Sequence, residues 1–315
     1  MASNQSRCRA AHSIRGMTIA VALLLASAAL PLEAQIDLSG SWVANGTENI
    51  MERAAGPVSG NFTGIPINAA GRALADSYNS GMLAESERIC QLYNQWELAD
   101  GPWNLNFSRV ISPYTREIEA WKIEATESQA GLTIWMDGRA PPSKDAYHPR
   151  GAFTTGHWQG DMLVAFTTHM KSAAIRRNGV FNSDEATLTS IFIPHGDRLE
   201  GIYSMQDPVY LTEPYTYMRP YNRSANPVSV KWDPCIVNYE GVKEGHVSFF
   251  LPGKNPLLTQ MMQIYNIPEY ASQGGADTMY PEFRDKMKAK FVIPPKCTLY
   301  CTTGRPAPPA PKPHD

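Results

Sequence analysis

From Trp103 to Gln206 apolar and polar residues alternate with a period of two. That spacing sends successive side chains to opposite faces of a β-strand. Residues 104–111, 116–125 and 131–136 are predicted strands, broken at Ser112-Pro113 and over 128–130. Asp137-Gly138 predicts a tight turn, because glycine accepts the positive φ that such turns require. Residues 153–158 and 162–168 flank Gln159-Gly160-Asp161, and residues 185–194 and 199–206 flank His195-Gly196-Asp197. Strands at about 8–12 residue intervals predict a mainly β fold, an antiparallel meander that closes as a barrel or curls into a sandwich.

The flanks differ in period. Residues 36–44, IDLSGSWVA, predict one further short strand, and a loop rich in Gly, Pro and Asn follows to Pro66. Asn68 is placed to cap a helix over 69–78, whose small residues at helical spacing predict close packing on the sheet. Residues 82–98 fit a helix only in part. Asn255 and Pro256 open a second helix with an apolar stripe of Leu257, Leu258, Met261, Met262 and Tyr265, and 279–291 predict a third. Residues 304–315, GRPAPPAPKPHD, predict an extended proline-rich tail.

The amino terminus changes the picture of where this chain works. Arg7, Arg9 and Arg15 precede an uncharged apolar run over 17–30, and Leu32-Glu33-Ala34 offers a small-residue cleavage site. This is the order of a secretory leader. The run is shorter than the roughly 20 residues of a bilayer span, so the mature chain is expected to carry no membrane span. Expected organisation is therefore a leader at 1–34, a β domain at 35–235, a partly helical appendage at 236–303 and the tail. Taking three from 28 basic residues and one from 30 acidic ones leaves a formal charge of −4. Such a chain lacks the basic footprint of a nucleic-acid or anionic-membrane binder. Cys90, Cys235, Cys297 and Cys301 are an even set in an oxidising compartment, which predicts two disulfides with the pairing open.

IDLSGSW at 36–42, AGRALADSY at 70–78, MDGR at 136–139, GHWQGDMLV at 156–164 and DPVYLTEPYTY at 207–217 together resemble a family of uncharacterised secreted bacterial proteins. This chain departs from that pattern at Ala140-Pro141-Pro142, where the family commonly has His-Pro, and around Ser190-Ile191, where it has Glu-Arg. Gly40-Ser41-Trp42 is similar to the opening of calycin-type (lipocalin-like) barrels. That resemblance implies a tryptophan plugging one end of a closed sheet that holds one small ligand.

No G-x-S-x-G, H-E-x-x-H, phosphate-cradling loop or dinucleotide fingerprint occurs, so no cofactor or metal is expected. The candidate catalytic residues are His157, Asp137 and Asp207, since imidazole exchanges protons near neutral pH and carboxylates can share the work. Candidate ligand-binding residues are Arg139, Trp158, Tyr210, Tyr215 and Tyr217, where phenols combine ring area with a polar tip. His148 and His169 fall in loops, and Asp184-Glu185 opens a strand as a solvated pair. The expected function is an exported binder of a small apolar or aromatic molecule inside the closed sheet. The alternative is a cofactor-independent isomerase, hydratase or lyase using a histidine and a carboxylate in the same cavity.

Overall fold

The alternation resolves into strands in a computed structural model, which describes residues 36–45, 58–79, 94–101, 103–126, 131–176, 178–230, 249–265 and 267–288. The expected leader at 1–34, the cysteines Cys90, Cys235, Cys297 and Cys301 of the expected disulfides, and residues 304–315 lie outside the described residues. Strands β1 (Gly40–Ala44), β2 (Leu105–Ile111), β3 (Ile118–Ala125), β4 (Leu132–Trp135), β5 (Phe153–Gln159) and β6 (Met162–Thr168) are followed by the short β7 (Ala174–Arg176) and β8 (Val180–Phe181). Strands β9 (Thr187–His195), β10 (Arg198–Gln206) and β11 (Tyr215–Ser224) complete the sheet. Nine of them close a barrel in the order β1-β11-β10-β9-β6-β5-β4-β3-β2, and β7-β8 form a separate pair. The mainly β, closed architecture expected from the alternation is what the chain adopts.

The sheet is not a pure meander. Strands β4 and β5 pair in parallel, Ile134 beside Thr154 and Trp135 beside Thr155. Pro141, Pro142 and Pro149 supply no backbone N–H, so the chain after Asp137-Gly138 cannot fold straight back along β4. It crosses instead through residues 136–152 and re-enters the sheet one strand over.

Register fixes which side chains face inward. Thr154, Gly156 and Trp158 of β5 stand opposite Thr167, Ala165 and Leu163 of β6, and these in turn stand opposite Leu188, Ser190 and Phe192 of β9. Trp42, Phe107, Trp121, Phe192, Tyr203 and Tyr221 are all buried among them. Phe107 meets Phe192 edge-on at 5.3 Å between ring centroids, and Phe192 meets Tyr203 at 5.9 Å. Such T-shaped pairs add about 0.5–1.5 kcal/mol each beyond the area they bury. Trp42 packs under Arg223, whose guanidinium lies 4.2 Å from its ring centre, while the indole N–H donates to Leu38 O at 3.0 Å.

Helix α1 (Ala69–Ser77) is capped by Asn68 Oδ1, which accepts from Ala70 N and Gly71 N. Gly71 lets it lie against the chain at Tyr210, since a Cβ there would sit 2.7 Å from Tyr210 O. Helix α2 (Glu97–Asp100) presses on β11: Tyr221 donates to Leu98 O at 3.1 Å and Arg219 Nε to Ala99 O at 2.8 Å. Helices α3 (Gln260–Tyr265), α4 (Glu269–Ser272) and α5 (Pro281–Lys288) follow the barrel. They are tied to the 58–79 segment by Phe62 N donating to Ser272 O and Asn255 Nδ2 to Asp76 O.

Candidate functional site

The three residues proposed for proton transfer are not brought together. His157 lies on the outer, exposed face of β5, because Gly156 and Trp158 on either side of it take the inward positions. Asp137 sits in an exposed turn and accepts from Arg139 Nε at 2.8 and 2.9 Å. The side-chain hydrogen bonds from Arg139 hold the Asp137 carboxyl below its ordinary range, and Asp137 raises Arg139 in return. Arg139 also lies 3.6 Å over the Trp135 ring and 3.3 Å from Glu119, which makes it a surface brace. Asp207 is buried, and its carboxylate accepts from Ser183 N at 2.6 Å, Ser183 Oγ at 2.8 Å, Val209 N at 2.9 Å and Tyr210 N at 3.2 Å. Four donors occupy it, so Asp207 works as a clasp between two loops.

The aromatic candidates divide. Trp158 faces inward and meets Trp121 at 6.4 Å. The Tyr215 hydroxyl accepts from Arg176 Nε and Nη2 at 3.2 and 2.9 Å, its ring leans on Trp96 at 5.0 Å, and burial pushes its phenol upward. Tyr217 lies between the Arg176 and Arg219 guanidinia, 5.9 and 5.7 Å from its ring centre. Part of the barrel interior is close-packed, while the inward-facing Trp158 and Tyr217 keep some accessible surface. Trp42, Trp121, Ala165, Ser190, Phe192 and Tyr203 have no accessible surface, so they touch neither bulk water nor an internal hole large enough for one.

Among the described residues, open space is found outside the barrel where the 136–152 crossover passes the ends of β6 and β9. One pocket of about 590 Å³ is bordered by Pro142, Lys144, Asp145, His148, His169 and Glu185, among others. A second, of about 530 Å³, is bordered by Tyr147, Lys171, Ser183 and Tyr210. His148 and Asp184 line both, which makes the two pockets neighbours in one cleft region. Of the residues singled out for a ligand, only Tyr210 reaches it. His157, by register, is four residues up β5 from the cleft end, roughly 13 Å along the strand.

The histidines carry the chemistry of this cleft. Their rings are 5.0 Å apart. His148 Nδ1 is 3.0 Å from Met170 O, and a carbonyl only accepts, so Nδ1 is the donor there and Nε2 is the nitrogen not used in that contact. His169 is committed at both nitrogens: Nε2 donates to Ser143 O at 2.8 Å and Nδ1 meets Thr168 Oγ1 at 2.8 Å. His169 is also held at φ 57, and Ala152, at the end of the crossover, at φ 53. Non-glycine residues at positive φ cost about 1 kcal/mol and are held only where the surroundings enforce them. Below the cleft the buried amides of Asn94 and Asn182 bond at 2.7 Å and pin Lys171 to Ser183. Among the described residues no cluster of three or more His, Cys, Asp or Glu side chains is arranged to hold a metal.

No family model matches the chain, and no curated protein matches it. Among solved structures it is similar to a secretory abundant heat soluble protein 4 of Ramazzottius varieornatus, at 13% identity and a TM-score of 0.25 over 59% of this chain and 94% of that one. It is also similar to a second such protein from the same organism, at 10% identity and 0.28 over 59% and 95%. A point mutant of the fluorescent protein UnaG gives 12% identity and 0.26 over 60% and 97%. Scores this low carry no functional argument. Among the described residues no helix is long and apolar enough to cross a membrane.

Proposed function

We propose that this chain is an exported small-molecule-binding protein whose ligand sits in the cleft beside His148. The observation that carries this reading is an imidazole anchored through one nitrogen to Met170 O and bordering both ligand-sized pockets. This reading puts the ligand at the outer crossover, whereas the sequence suggests the interior of the closed sheet; the close packing of Trp42, Trp121, Phe192 and Tyr203 at mid-barrel supports it. Thermal-shift and calorimetric screening of protein purified from the secreted fraction, with an intact mass starting at Gln35, tests both halves. A bound compound should lose at least tenfold in affinity in His148→Ala. Binding that ignores this substitution would return the site to the barrel, and a chain retaining residues 1–34 would remove export.

The same cleft supports a second reading, because Asp184 and Glu185 border it with His148. An imidazole and carboxylates in one cleft are the parts of a cofactor-independent proton-transfer site, with His148 in the role that the sequence suggests for His157. Turnover of a compound found in the screen, lost in His148→Ala while Asp184→Asn keeps binding, separates catalysis from binding.

A further inference from the structure

The walls of the cleft restrict the chemistry of what fits, if the cleft is the ligand site proposed above. Asp145, Asp184 and Glu185 are carboxylates, which only accept hydrogen bonds, and the His148 imidazole stands beside them. Lys144 and Lys171 are ammonium groups, which only donate. Donors and acceptors thus interleave within one cleft whose formal charges nearly cancel. An anion would face the three carboxylates, and a cation would face the two ammonium groups. An apolar molecule would meet only the Pro141, Pro142 and Ala186 part of the wall and would leave the charged groups beside it without a partner. A hydroxyl group both donates and accepts, so closely spaced hydroxyls satisfy both kinds of wall.

A second observation supplies the apolar half. Tyr147 is 79% exposed at the rim, with Lys171 Nζ 5.4 Å from its ring centre and 3.4 Å from its hydroxyl. Tyr210 borders the same pocket. A large exposed ring beside a cleft whose wall is part polar and part apolar, Pro141, Pro142 and Ala186 included, offers a flat surface to the C–H face of a sugar while the charged groups take its hydroxyls. The two pockets, of about 590 and 530 Å³, share His148 and Asp184 at their borders, and each is within the size range that takes a molecule of two linked rings.

We infer that the ligand is a neutral polyhydroxylated molecule of about disaccharide size, either free or as the end of a longer glycan. Isothermal titration of the full mature protein tests this with maltose, cellobiose and lactose, with a soluble glucan for the glycan source, and with choline, benzoate and an anilinonaphthalene dye as cationic, anionic and apolar controls. At least one neutral sugar should bind; Tyr147→Ala should weaken it tenfold or more, and Tyr147→Phe about twofold or less. Tyr147 is exposed, so neither substitution should change the melting temperature. Preferential binding of choline, benzoate or the dye, lost in His148→Ala, would overturn the sugar assignment and leave the cleft reading standing. No binding by any probe, or binding unaffected by both Tyr147→Ala and His148→Ala, would overturn the two together.

Discussion

A histidine can serve a ligand when one ring nitrogen is committed and the other is not, and only His148 meets that condition in the cleft. Its neighbour His169 spends both nitrogens on Thr168 and Ser143 and holds its own backbone at positive φ. Its role is to position the 136–152 crossover against β6. Asp76, on α1, raises a different residue-scale question. Its Oδ1 is buried without a hydrogen-bond partner among the described residues, and burial first, then Glu269, lifts its carboxyl above the ordinary value despite Arg72 nearby. A carboxyl raised in the fold favours the neutral form there. Its contribution to stability is therefore complete below the unfolded carboxylate range and is lost as pH rises through the folded value. Asp76→Asn should thus melt higher than the parent at neutral pH, with the difference closing in acid below the carboxylate range. Melting curves across that range check this, and a gap independent of pH would contradict it. The single residues most attractive in the sequence mislead for a geometric reason. In GHWQGD the histidine and tryptophan are adjacent, so they must face opposite sides of β5, and one step of register decides which is inside. The inward neighbour is Trp158.

At the scale of elements, strands β2, β3, β5, β6, β9 and β10 are legible in the sequence to within a few residues, because one face of each is buried and the other is not. Strand β11 is hidden. Its inward positions are Tyr215, Tyr217, Arg219 and Tyr221, its outward ones include Met218 and Pro220, and a fully buried arginine inverts the usual pattern. The parallel β4–β5 step is hidden too, since a Gly after an Asp marks a turn without telling where the chain goes next. That step creates the cleft, because a crossover of residues 136–152 must run over the outside of the barrel before β5 begins. It ends on Ala152 at φ 53, where a methyl group is strained and a glycine would not be. Ala152→Gly should stabilise the protein by about 0.5 kcal/mol, the relief of that strain exceeding the added unfolded-state freedom. Urea unfolding measures it, and a clear loss of stability would show that the turn is relaxed as it stands.

For the whole molecule, the proposed site makes the closed sheet a support for the loops, with its aromatic packing serving the fold. The edge-on contacts from Phe107 through Phe192 to Tyr203, with Trp42 beneath Arg223 and α2 against β11, leave the mid-barrel occupied by the chain itself. Loops carried on such a support can hold a ligand with little movement, and here three loops meet. The Asp207 clasp fixes Ser183 and Tyr210 at one wall, and the Asn94–Asn182 pair fixes the floor. The most direct test of this division of labour is amide hydrogen exchange of the mature protein with and without the tightest compound from the screen. Slowed exchange should concentrate in residues 143–148, 168–171 and 183–187. Slowing confined to barrel strands around Trp158, Tyr203 and Tyr217, with those loops unchanged, would contradict a ligand site outside the barrel.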